Sequence, residues 1–127
     1  MLLAEEIGQA GEDAAVAYLE RRGYRIQERN YANRTGLRLG EIDIIAEKAG
    51  EIIFVEVKAA FLAAGKEQRL PEWQITRSKL RKMEKAASIY LREKRLNDQA
   101  YSFDAIAVTF RDGEKPEIRH LDHIFYS

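Results

Sequence analysis

The chain has 127 residues, and its 21 basic and 21 acidic side chains cancel to a formal net charge of zero. A single domain spanning residues 1–127 is the simplest expectation at this length, and the absence of cysteine excludes disulfides, thiolate metal sites and cysteine nucleophiles. Nothing approaches the roughly 20 apolar residues of a membrane span, and the opening Met1-Leu2-Leu3-Ala4-Glu5-Glu6 has neither a basic region nor a long apolar run. A soluble cytoplasmic domain without a signal peptide is therefore expected.

The charge is unevenly spread. Residues 58–95 hold eleven Lys or Arg against four Glu, whereas residues 1–57 hold seven against eleven acids and residues 96–127 three against six. A basic middle between acidic flanks permits a local phosphate-binding surface despite overall neutrality.

The first element is a helix from Ala4 to Arg22, with Ile7, Ala10, Gly11, Ala14 and Tyr18 on one face and Gly23 as a C-terminal cap. Glu12 falls at the edge of that face, where an acid can lean over a sheet or stay in water. Tyr24–Arg29 alternates as a first, half-exposed strand, and Asn30–Arg38 reads as a polar loop carrying Arg34 and Arg38. Strands follow over residues 39–46 and 51–58, joined as a hairpin through Glu47-Lys48-Ala49-Gly50. Ala59–Trp73 has no clear period, and Gly65 and Pro71 mark it as loop. A second helix runs from Thr76 to Arg92 on an apolar stripe of Leu80, Met83, Ala87, Tyr90 and Leu91, with Thr76 or Ser78 as cap. Tyr101–Phe110 alternates as a fourth strand, Asp112-Gly113 is a turn, and Ile118–Phe125 offers a last strand. This order predicts an α/β sandwich, a central mixed sheet flanked by helices: hairpin links make antiparallel pairs and the helical crossover permits a parallel one.

Two of these strands carry acids among aliphatics. Asp43 sits in Gly40-Glu41-Ile42-Asp43-Ile44-Ile45-Ala46, and Glu56 sits in Ile52-Ile53-Phe54-Val55-Glu56-Val57-Lys58. The hairpin brings Asp43 towards Glu56, while Lys58 shares Glu56's strand face. Two carboxylates on a rigid sheet can hold a hard divalent cation, and a neighbouring lysine can orient or deprotonate water. Phosphodiester hydrolysis is the chemistry this suggests. Glu41 shares Asp43's strand face as a third acid or a solvent-facing one. Asp104, mid-strand, is better explained by a structural hydrogen bond or by an exposed alternate position. Arg77, Lys79, Arg81, Lys82 and Lys85 at the start of the second helix form a possible phosphate contact surface, with Arg77, Lys79, Lys82, Arg34 and Arg38 the candidate nucleic-acid contacts, of the kind that add salt-dependent affinity without reading sequence. A solvated basic helix is the alternative. His120 and His123, three apart in the expected last strand, would face opposite sides and not share a metal. No phosphate-binding loop, dinucleotide fingerprint or serine triad is present, so no nucleotide cofactor is expected.

Gly11-Glu12 in a first helix, Gly40–Ala46 and Phe54-Val55-Glu56-Val57-Lys58 together resemble the UPF0102 (YraN-like) family, from Gly8 to about Val108. Asn30, Lys79 and Phe103-Asp104 also fit. That family is counted in the restriction-endonuclease-like PD-(D/E)XK superfamily and is similar to archaeal Holliday-junction resolvases. The resemblance implies a restriction-endonuclease-like sandwich and a metal-dependent endonuclease acting on DNA, branched DNA included. It implies Asp43 and Glu56 as metal ligands with the Val57 main-chain carbonyl, and Lys58 as the residue positioning the attacking water. It implies Glu12 as an outer ligand or water holder, and Mg2+ or Mn2+ as the ion. A homodimer is implied as well, with Phe61-Leu62 or Ile124-Phe125-Tyr126 as candidate interface. The chain departs from the family's usual pattern at Ala60, where an arginine is common two positions past the lysine. A catalytically idle nucleic-acid-binding or interaction domain of the same fold is the competing reading.

Overall fold

The computed structural model describes residues 3–32, 41–63 and 76–124. The elements are α1 (Ala4–Arg21), β1 (Arg25–Ala32), β2 (Glu41–Lys48), β3 (Glu51–Leu62), α2 (Arg77–Glu93), β4 (Ala100–Arg111) and β5 (Glu117–Leu121). The described strands form one mixed sheet in chain order, β1-β2-β3-β4-β5. Only the β3–β4 pair is parallel, and α2 is its crossover; the other neighbours are antiparallel.

Alternation along β3 sends successive residues to two separate cores. Ile53 and Val55 join Ala15 and Leu19 of α1 with Ile44, Ala46, Ile106 and Val108. Ile52 and Phe54 join Ala86, Ala87, Tyr90 and Leu91 of α2 with Tyr31, Ile42 and Ile45. The helices thus cover opposite faces, giving the expected α/β layered sandwich. No described helix is long and apolar enough to cross a membrane.

Local chemistry sets the boundaries. At the end of α1, Gly23 has φ 88° and Tyr24 N–H donates to the Leu19 carbonyl at 3.0 Å, the six-to-one bond of a Schellman cap. Thr76 caps α2, its hydroxyl accepting from Lys79 N–H at 3.1 Å. The β2–β3 hairpin closes through Ala49 and Gly50, both at positive φ (51° and 78°), the pattern of a two-residue turn whose twist matches the strands.

Four expectations need correction. The β2–β3 link is not Glu47–Gly50: β2 runs to Lys48, which pairs with Glu51, and the turn is Ala49-Gly50 alone. β1 does not end at Arg29: it runs to Ala32, with Asn30 at φ 51° and Tyr31 buried rather than in a loop. β3 does not stop at Lys58: β4 holds it in register as far as Leu62, opposite Arg111. Ala59 and Ala60 lack strand-like side chains, but a small residue is required at Ala59 because α1 passes directly over it at Gly11. The last strand ends at Leu121, and His123 lies beyond it at φ 55°. Arg34 and Arg38, Gly40, the expected loop positions Gly65 and Pro71, and Phe125 and Tyr126 lie outside the described residues.

Candidate metal centre

Strand register builds the acid pair. β2 and β3 pair Ile44 with Val55, so the next cross-strand neighbours along the ladder are Asp43 and Glu56. Val57 N–H donates to Asp43 Oδ2 at 2.8 Å, which ties the carboxylate across the strand gap. The two acids line an open cleft of about 270 Å³ together with Glu41, Lys79, Lys82 and Met83. Glu41, the weaker of the expected strand acids, is therefore part of the same cleft.

Electrostatics singles out Asp43. Burial, followed by the negative charge of Glu56, pushes its carboxyl up to about 7 from 3.8; Glu12 and Glu41 add to this, and the Val57 hydrogen bond only partly opposes it. Burial likewise raises Glu56 above the usual carboxylate range, although Lys79 pulls the other way. Lys79 Nζ lies 2.5 Å from Glu56 Oε1, with the Glu56 side chain only 10% exposed. Burial alone would lower the Lys79 ammonium, but the hydrogen bond and charge of Glu56, with Asp43 behind it, raise it instead. Lys79, expected only as a phosphate contact, reaches into the acid pair itself.

The remaining expected residues stand around this pair. Lys58 lies one pleat beyond Glu56 and is exposed, with no ion pair to another described residue. Glu12 approaches from α1. It is buried, accepting from Arg29 Nε at 3.1 Å and Asn30 Nδ2 at 3.1 Å, and Arg29 also grips Asp13 at 2.6 Å. Its charge reaches Asp43, yet among the described residues no three acidic or histidine side chains converge as a metal cluster. Arg29 and Asn30 are the residues that sequence reasoning passed over as holders of Glu12. The available signal was an asparagine, which tolerates positive φ, inside an otherwise strand-like stretch.

A second polar network lies on the α1 face. Asp104 is 1% exposed and its Oδ2 sits 2.7 Å from His120 Nε2, while Oδ1 accepts from His123 N–H at 3.1 Å. Tyr18 hydroxyl stands 3.0 Å from His120 Nδ1. Asp104 thus has the structural role expected of it, and the two histidines meet one carboxylate in different ways, one by its ring and one by its backbone.

The donor set suits a hard cation. Asp43 and Glu56 supply only oxygen, and each is held above its ordinary ionisation range by burial, with Glu56's charge adding at Asp43. A divalent ion between them would relieve that cost, as Lys79 does in part.

Comparison with known proteins agrees over almost the whole chain. Residues 11–108 match the model of the Uncharacterised protein family UPF0102. A UPF0102 protein of Trichlorobacter lovleyi is 39% identical over 123 residues, covering 95% of this chain and 91% of its own. One from Geobacter sulfurreducens is 39% identical over 119 residues (94% and 88%), and one from Myxococcus xanthus 36% identical over 120 residues (94% and 89%). With the matched segment running from Gly11 on α1 through the acid pair to Val108 on β4, the chain belongs to the UPF0102 family.

Proposed function

We propose that the protein is a divalent-metal-dependent endonuclease that hydrolyses DNA phosphodiester bonds, with branched DNA among its substrates, working in the cytoplasm. The apposition of Asp43 and Glu56 on neighbouring strands carries this reading: a fold has no need of a half-buried acid beside a buried one, a pair that raises its electrostatic energy. It is also what the likeness to the restriction-endonuclease-like PD-(D/E)XK nucleases implies.

Asp43, Glu56 and the Val57 carbonyl would hold Mg2+ or Mn2+, which when bound supplies positive charge to the phosphate and lowers the pKa of a coordinated water. The protein's own groups do the rest. Lys58, next on Glu56's strand face, orients the attacking water and steadies charge developing on the phosphate. Water adds to phosphorus, the bridging oxygen leaves, and the proton passes to the leaving oxygen by way of solvent. Lys79, whose side chain is half exposed, can turn from Glu56 to the phosphate, which would leave Glu56 able to hold the ion. Glu12, fixed by Arg29 and Asn30, holds water at the edge of the cleft.

A catalytically idle DNA-binding domain is the second reading. The observation favouring it is the Lys79–Glu56 contact, in which a cation of the chain already occupies one ligand. Calorimetric titration with magnesium and manganese, on the protein and on Asp43→Ala and Glu56→Ala, separates the two. Saturable binding lost in both variants, followed by metal-dependent cutting of branched or linear DNA, is expected of the enzyme. Absence of binding, both alone and with a DNA fragment present, would leave the idle module.

A further inference from the structure

The core accounts for only one side of α2. Leu80, Met83, Ala86, Ala87, Tyr90 and Leu91 are its buried residues. On the outward side, Arg77, Arg81 and Lys85 recur every four residues, and Ser88 and Arg92 continue the same stripe. Arg81, Lys85, Ser88 and Arg92 line one open groove with Glu84 and Ile89, separate from the acid cleft.

This placement of charge works against the helix. Like charges four apart on one face repel. The first turn of α2 holds no acid, although it is the end where the helix dipole favours anions and disfavours Arg77 and Lys79. Glu56 answers Lys79, but Arg81 and Lys85, four apart with Arg92 further along and Glu84 beside them, leave the groove net positive, a charge that a polyanionic partner would neutralise.

The chemistry of the stripe identifies that partner. Arginine's planar fork matches phosphate oxygens. Among the described residues the groove is lined by no aromatic ring on which a base could stack and by one aliphatic side chain, Ile89, which is half-buried. That composition fits contact with a nucleic-acid backbone and gives little to a lipid surface. The groove neighbours the site along the helix: Lys82, next to Arg81 in the chain, lines the acid cleft with Lys79. From Arg81 to Arg92 the helix rises about 16 Å, the axial length over which one strand of a duplex carries about five phosphates.

We propose that the outward face of α2, through Arg81, Lys85 and Arg92, is a phosphate track that holds the DNA flanking the bond presented to Asp43 and Glu56. This deepens the nuclease reading and rests on it for the identity of the polyanion. The track binds duplex without regard to sequence, and its affinity falls steeply with salt.

The test is fluorescence anisotropy with a labelled duplex and a labelled four-way junction in magnesium-free buffer, across about 50 to 200 mM salt. The chain is compared with its Arg81→Gln/Lys85→Gln/Arg92→Gln variant. The variant is expected to bind both DNAs at least tenfold more weakly at low salt, with the slope of log affinity against log salt smaller by about two to three. Its melting temperature is expected to be unchanged or higher, since repulsion is removed, and its calorimetric metal binding unchanged. Equal affinity and slope for the two proteins would overturn the track. So would failure of the unaltered chain to bind either DNA, or its binding to phosphatidylglycerol vesicles in place of DNA. Metal binding without DNA binding overturns the track and leaves the acid pair standing. DNA binding through these three residues without metal binding upholds the track and overturns the hydrolase.

Discussion

Asp43 carries an electrostatic cost in the folded chain. Its carboxyl titrates near 7 in the folded chain against 3.8 ordinarily, so the folded state holds its proton more tightly than the unfolded state does. The sign follows from linkage: the group costs nothing below about pH 4, and the cost grows as pH rises and is complete above about 7. Asp43→Asn removes it while leaving an oxygen to accept from Val57 N–H. Urea denaturation at pH 8 should find the variant more stable by on the order of 2 kcal/mol, and at pH 4 equal to the parent, with divalent-metal binding lost. A variant less stable at pH 8 would mean that the acid pair is not a stored electrostatic cost. Glu56, raised in the same direction, is partly relieved by Lys79. That relief marks the difference between the two acids of the pair.

Among the elements, α1 presents two glycines with opposite demands. At Gly8, which is exposed, an added Cβ would meet nothing, whereas at Gly11 it would overlap the Ala59 side chain of β3. Gly8→Ala should therefore stabilise the protein by about 1 kcal/mol through helix propensity alone. Gly11→Ala should destabilise it by about 1–3 kcal/mol, because α1 must lift from the sheet. Chemical denaturation of both variants checks the pair, and similar effects at the two positions would contradict the close approach. Gly11 also seats its neighbour Glu12 against Arg29 and Asn30. β1 serves this end: Asn30 at positive φ interrupts the strand's alternation, so that Arg29 serves Glu12 on one layer while Tyr31 enters the α2 core on the other.

For the whole molecule, the Tyr18–His120–Asp104 chain joins α1, β5 and β4 across one face of the sheet. Asp104 is fully buried and has its partners, so removing it leaves His120 Nε2 and the His123 N–H short of theirs. Asp104→Ala should cost about 3–5 kcal/mol, and Tyr18→Phe, which removes one hydrogen bond, about 1 kcal/mol. Thermal and urea unfolding measure both. A small loss for Asp104→Ala would mean that water or His120 readily takes over its place. The acid cleft lies on the α2 side of the same sheet, so these variants should lower stability without weakening metal binding.

Much of this was legible in residue order. Periodicity pointed to the two helices, the β2–β3 hairpin, the mixed sheet and the approach of Asp43 to Glu56, but the register that sets those acids opposite one another came from the two-residue turn at Ala49-Gly50, which the expected four-residue link did not contain. The length of β3 was not legible, since Ala59–Leu62 has no strand signature and is held only by its neighbour β4. Nor were the anchoring of Glu12 by Arg29 and Asn30, the reach of Lys79 into Glu56, or the meeting of Tyr18, His120 and Asp104. Those contacts join residues 16 to 102 positions apart. Spacing along the chain carries local geometry, whereas partners brought together from distant elements exist only once the helices have docked on the sheet.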